Sequence, residues 1–114
     1  MERLAIVAHL KEGNETRANE ILAQGPPFDL AETGIVRHAI YLSASEVVFV
    51  FEGPDVEWIV DSLIDEPFHP KLQDALDEWR AIIDGKPRIA RLRFAWEHDE
   101  EQPAATDVIA SNGP

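Results

Sequence analysis

From Leu4 to Leu10 apolar residues fill both alternating sets, with Leu4, Ile6, Ala8 and Leu10 on one side and Ala5 and Val7, joined by His9, on the other. A strand that is apolar on both faces belongs in the middle of a sheet. Gly13 and Asn14 then interrupt: Asn14 takes the N-cap position, Glu15 favours the positive helix end, and Ala18, Ile21 and Leu22 give a narrow helical stripe that stops at Gly25-Pro26-Pro27. Ile35 to Leu42 is a β-rich run separated by Ser43-Ala44-Ser45-Glu46 from Val47-Val48-Phe49-Val50-Phe51, which predicts a hairpin. Gly53-Pro54-Asp55 ends it, with Asp55 placed to accept from the first N–H groups of a helix. Val56, Ile59, Val60, Leu63 and Ile64 share one face of that helix. It breaks at Asp65-Glu66-Pro67-Phe68-His69-Pro70, because each proline lacks a donor and pushes its predecessor towards extended geometry. The stripe resumes through Leu72, Ala75, Leu76, Trp79, Ile82 and Ile83, and Asp84-Gly85-Lys86-Pro87 reads as its stop. A last strand is expected from Arg88 to Trp96, and the acidic, polar stretch from His98 onward predicts a tail without fixed structure.

The order β-α-β-β-α-β is the split βαβ unit of the α+β ferredoxin-like architecture: a four-stranded antiparallel sheet with helices on one face, the second helix broken near Pro67–Pro70. Residues 1–97 form the domain and 98–114 the tail. If the more apolar set of each strand faces the helices, Leu4, Ile6, Ala8 and Leu10 point inward, as do Val36, His38, Ile40 and Leu42, and Ala90, Leu92, Phe94 and Trp96. The other sheet face then carries Ala5, Val7, His9, Ile35, Arg37, Ala39, Tyr41, Ile89, Arg91, Arg93 and one set from the third strand, where Val47 to Phe51 is apolar on both sides whichever way it is phased, and is too apolar to be left in water. Two copies meeting through it would form an isologous dimer, the alternative being a monomer with a half-solvated sheet.

The element order, the long second helix broken in its middle, and Phe68-His69-Pro70 followed by Leu72-Gln73 give residues 1 to about 97 a resemblance to the dimeric α+β barrel superfamily. Its members include antibiotic-biosynthesis-type monooxygenases, muconolactone-isomerase-like enzymes, polyketide cyclases and stress-responsive barrel proteins. The resemblance implies a homodimer with a ligand cavity between sheet and helices or inside the barrel, often with no cofactor. It also matches His69 to the position of a catalytic base in some polyketide-cyclising members, while the plainer reading of His69 is a solvent-exposed turn histidine.

Candidate chemistry gathers on the strands. Arg37, Arg91 and Arg93, with His9 and Tyr41, fall on one expected sheet face. Guanidinium forks there suit a carboxylate or enolate, and Tyr41 suits a general acid or oxyanion donor. The plainer reading pairs these arginines with acids such as Glu52 or Glu97. His38, expected among apolar residues, would be held neutral by burial and is either a hydrogen-bonded core histidine, a general base, or a metal or haem ligand. Trp58 falls off the stripe of its helix and is a candidate to line a cavity or subunit contact. No metal site is expected, since histidines and acids lack ligand spacing on one helical face, and no serine lies in a nucleophile-elbow setting.

Charge narrows the classes further. Twenty-two acids against ten Lys and Arg give a net charge of −12 over 114 residues. Such a chain repels nucleic-acid phosphates and anionic membrane surfaces, and it has no apolar run of the roughly 18 residues that span a bilayer. The absence of cysteine excludes disulfides and thiol chemistry and fits a reducing cytoplasm, as does an N-terminus without a secretory pattern. Residues 55–84 carry nine acids against Lys71 and Arg80, so the negative charge belongs to the solvated side of the helices. The leading expectation is a homodimer that binds a small organic acid or polyketide-like molecule and catalyses a cofactor-free oxidation, cyclisation or isomerisation. In it His69 or His38 is the base, Tyr41 the acid or oxyanion donor, and Arg37, Arg91, Arg93, His9 and Trp58 surround the ligand. Its rivals are a non-catalytic dimer whose interior is filled by Phe49, Phe51 and tryptophan, and a haem-binding barrel.

Overall fold

The computed structural model describes residues 2–27, 29–65 and 70–98. β1 (Glu2–Leu10) leads through α1 (Glu15–Ala23) and a 3₁₀ turn at Leu30–Thr33 to β2 (Arg37–Leu42) and β3 (Glu46–Gly53), followed by α2 (Val56–Asp65), α3 (Pro70–Ile82) and β4 (Ile83–Arg91). The ladders are antiparallel in the order β2-β3-β1-β4. This is the ferredoxin-like α+β fold. β1 is central, as its two apolar faces require, and α2 and α3 are separate helices on either side of the expected break. No described helix is long and apolar enough to cross a membrane. His69, and residues 99–114 of the expected tail, lie outside the described residues.

Local chemistry fixes the turns, in two places differently from expectation. Ser43 Oγ accepts from the N–H groups of Ser45 and Glu46 and closes the hairpin. The Asn14 side chain does not cap α1; its amide donates back to the carbonyls of Lys11 and Glu12. At the start of α2 the Val56 N–H is accepted by the carboxylate of Glu2, while Asp55 takes the left-handed backbone conformation at φ 54°. Gly53 is buried where a Cβ would lie 2.8 Å from the Gly34 carbonyl oxygen, so only glycine lets the end of β3 pack against the turn before β2.

Register confirms the inward sets of β1 and, from His38 on, of β2, supplies the phase of β3 that alternation leaves open, and reverses β4; Val36, expected inward, precedes β2 and is 63% exposed. Leu4 pairs with Phe51, Ile6 with Phe49 and Ala8 with Val47, while His38, Ile40 and Leu42 pair with the same three β3 residues. All of these face the helices. On β4, however, Ile89 pairs with Ile6 and Arg91 with Leu4, so Ile89 and Arg91 lie on the helix side and Ala90 on the open side. The expected strand from Arg88 to Trp96 is also displaced. Asp84-Gly85-Lys86-Pro87 is no stop: β4 starts directly after α3, and these residues form an irregularity in which Asp84 to Arg88 oppose only His9 to Val7. Pro87 is tolerated there because β4 is an edge strand. Leu92, Phe94 and Trp96 lie beyond the strand and do not pack under the helices, Phe94 and Trp96 being 83% and 76% exposed. Ile35 is likewise not on the open face but buried ahead of β2.

The core is divided. Ala8, Leu10, Ala18, Ile21, Val47 and Ile82 form one buried cluster where α1 and α3 meet the sheet, and Leu4, Val56 and Val60 form another under α2. Ile6, Ile40, Phe49 and Phe51 pack against one or the other and remain only partly buried.

Candidate functional site

Between those two clusters lies a cavity of about 880 Å³, open to solvent on part of its boundary. The sheet forms its floor through Ile6, His38, Ile40, Phe49 and Phe51, and the walls come from Ile21 and Leu22 of α1, Val60, Leu63 and Ile64 of α2, and Leu72, Ala75, Leu76 and Trp79 of α3. The wall over the sheet is shared among three separate helices, none of which lays one continuous stripe over it. Trp79 meets Phe49 edge-to-face at 5.1 Å, and both rings line the cavity. Phe49, Phe51 and Trp79 thus line the interior and do not fill it. Gln24, Lys71, Asp74, Glu78 and Arg80 from the helices are the polar side chains of the lining besides His38, and Arg17 ties Glu78 in place at 3.0 Å.

His38 is the polar residue of the sheet floor, placed there by the alternation of β2. Its ring stacks on Phe51 with centroids 4.4 Å apart and planes within 13°. Its Nδ1 lies 3.0 Å from the carbonyl oxygen of Val50 on the neighbouring strand. A carbonyl can only accept, so Nδ1 carries the hydrogen. Burial holds the imidazole pKa below its ordinary value of about 6.5, outweighing the opposing effect of the Val50 hydrogen bond. A neutral ring with its hydrogen on Nδ1 keeps a lone pair on Nε2. Among the described residues no donor reaches Nε2.

This shift has a stability consequence. The unfolded chain takes up a proton at this position as the pH falls through about 6.5, before the folded chain does, so His38 lowers stability progressively from there down to its depressed pKa and has no such effect above it. Urea midpoints measured from pH 7.5 to 5 are expected to show wild type losing stability relative to His38→Gln across that window.

The other sequence candidates lie elsewhere. Tyr41 is on the opposite sheet face and 65% exposed. Arg37 is exposed on the same open face, in register with Glu52. His9 is there too, with Nδ1 3.7 Å from Glu46. Arg91 belongs to the helix side, where its guanidinium makes a two-pronged hydrogen bond to Glu57 of α2, drawing that carboxyl below and the guanidinium above their ordinary pKa values. Arg93 is exposed beyond β4, and Trp58 is 72% exposed on the outer side of α2, away from the cavity lining. The three arginines therefore do not converge within one chain. Glu52 and Glu97, expected as their partners, are both engaged by Arg3. No group of three or more His, Asp and Glu among the described residues is arranged to hold a metal ion. Trp79 and the Val50 carbonyl are the parts of the site that sequence reasoning missed; Trp79 was legible as a stripe residue, but its role in a wall was not.

No protein-family model and no curated protein sequence matches the chain. Solved structures do. Tetracenomycin F2 cyclase from Streptomyces glaucescens, a type-II polyketide cyclase, superposes with a TM-score of 0.64 at 15% identity over 87% of this chain and 100% of its own. An antibiotic biosynthesis monooxygenase gives 0.59 at 8% identity, over 83% and 99%. A dimeric ferredoxin-like protein from an uncultured marine organism gives 0.53 at 17% identity, over 87% and 99%. At these identities the likeness is one of architecture, and what the chain shares with all three is the ferredoxin-like α+β fold.

Proposed function

We propose that the protein is a homodimeric small-molecule-binding protein whose ligand occupies the cavity between sheet and helices, with His38 as the proton-accepting group of a cofactor-free cyclisation, isomerisation or oxidation. The observation that carries this is the 880 Å³ space itself, walled by apolar and aromatic side chains, with one tautomer-fixed histidine in its floor. Nε2 of a neutral imidazole takes a proton from an acidic C–H or O–H of the ligand, leaving an enolate or phenolate. The imidazolium that forms keeps its Nδ1–H bound to the Val50 carbonyl, and the apolar walls strengthen its attraction to the new anion. Phe51 holds the ring plane throughout. The likeness to a polyketide cyclase and an antibiotic biosynthesis monooxygenase supports this reading, and that to a dimeric ferredoxin-like protein supports the assembly.

Tyr41, Arg37 and His9 are on the face that would meet a second copy, so this reading gives them interface roles. The test is a calorimetric titration with 2-methoxynaphthalene, a neutral aromatic of suitable size. Ala75→Phe, which fills the α3 wall, is expected to weaken binding by roughly tenfold or more at unchanged or higher thermal stability, whereas Trp58→Ala leaves it unaltered. Binding that is indifferent to Ala75→Phe would place the ligand elsewhere.

A further inference from the structure

The floor and the walls of the cavity make different demands on a ligand. Everything the helices offer in polarity, from Gln24 to Arg80, combines both charges and an amide and can satisfy either a donor or an acceptor. The sheet offers only His38. With Nδ1 committed to Val50 and the ring pinned against Phe51, that side chain cannot turn over to present N–H without giving up the 3.0 Å hydrogen bond and leaving the Val50 carbonyl without it. The floor is therefore a hydrogen-bond acceptor in an apolar surround.

Resting on the cavity reading above, we infer that the ligand presents an un-ionised hydroxyl, phenolic or enolic, to Nε2 of His38 from a planar apolar body, and that carboxylates are selected against at this position. A carboxylate would set its own lone pairs against that of Nε2 and would lose its hydration among Ile6, Ile40, Phe49 and Phe51. A net charge of −12 opposes the entry of an anion as well. A methyl ether has the same apolar body but no hydrogen to give. Arg37, Arg91 and Arg93, which suited an organic acid, lie outside the cavity lining, and the histidine on its floor asks for a donor.

The experiment compares 2-naphthol, 2-methoxynaphthalene and 2-naphthoate by calorimetry at neutral pH, where the naphthol keeps its proton. Expected is naphthol binding roughly ten- to a hundredfold more tightly than the ether, with naphthoate weakest, and His38→Phe bringing naphthol down to the ether's affinity. Long-range ¹H–¹⁵N spectra of the wild-type imidazole give a readout that needs no variant: Nδ1 protonated throughout, and the Nε2 resonance moving with naphthol but not with the ether. Equal affinities for naphthol and ether, a preference that survives His38→Phe, or naphthoate binding best would each overturn the inference while leaving the cavity reading in place. If neither neutral naphthalene binds, the cavity reading falls and the inference with it.

Discussion

Val48→Asp is expected to halve the mass of the protein in solution without unfolding it. Val48 lies on the open face of the sheet, opposite Val7 on one side and Tyr41 on the other. Around it Ala5, Val50 and Ala39 form the next row, with Ala90 at the β4 edge, so the centre of the face is aliphatic. Polar groups lie at its ends, with Arg3, Glu52 and Arg37 towards one and His9, Glu46 and Asp84 towards the other, and at the two edges of Val48's own row, where Arg88 opposes Val7 and Tyr41 opposes Val48. An apolar centre with a polar rim is the anatomy of a subunit contact. In an isologous dimer the substitution appears twice, and each introduced carboxylate loses its hydration beside Val7, Ala5 and Val50, with the Arg88 cation two strands away in its row. A combined cost of only ~3 kcal/mol weakens association about a hundredfold. Sedimentation at micromolar concentration should show wild type as a dimer and the variant as a monomer with an unchanged far-ultraviolet spectrum. Wild type sedimenting as a monomer at tens of micromolar would remove the dimer from the proposed function.

The success and failure of sequence reasoning on this chain follow from how much of each signal is local. β1 and β2 were legible in phase because alternation is a nearest-neighbour property and each carries a bulky apolar set inward, Leu4 and Leu10, Ile40 and Leu42; β3 was legible as a strand, but Val47 to Phe51 is apolar on both faces and only its pairing puts Val47, Phe49 and Phe51 inward. β4 was not, for two reasons. Asp84-Gly85-Lys86-Pro87 has turn chemistry, yet it serves as an edge-strand irregularity, and only the pairing with His9 and Val7 distinguishes the two. The apolar weight of Leu92, Phe94 and Trp96 then set the phase of a strand that ends at Arg91, before any of them. Arg91 shows why the rule of apolar-in fails at an edge: no helix covers it fully, and its long side chain runs out to Glu57. At the site, His38 could be found from its place in the inward set, whereas its tautomer could not. The acceptor is the carbonyl of Val50, which pairs with Ala39 and is therefore diagonal to His38, a relation that exists only once the β2–β3 register is known.

The neighbouring substitution Val47→Asp should have the opposite outcome, loss of the folded state with no separable monomer. One step along β3 moves the side chain through the sheet. Val47 is fully buried, packed with Ala8, Leu10, Ala18, Ile21 and Ile82, and Leu42 closes the space from β2. An ionised carboxylate there has neither water nor a cation, and its smaller apolar contribution also leaves the cluster underpacked. The destabilisation belongs with the exceptional values, at ~4–5 kcal/mol or more, against the ~5–15 kcal/mol that holds a typical domain of this size. Its pH dependence identifies the mechanism. The introduced carboxyl can enter the cluster only with its proton on, so its pKa in the folded chain is raised and the folded state binds the extra proton. The deficit relative to wild type should then shrink as the pH falls towards the ordinary carboxyl value near 4. Urea midpoints of both variants at pH 7.5 and pH 5 separate the cases: a large deficit that narrows with acid for Val47→Asp, and a small one for Val48→Asp once the monomer is compared with the monomer. A Val48→Asp chain as unstable as Val47→Asp would mean that both faces of β3 are core to a single copy, and the open face would then have no vacancy for a partner.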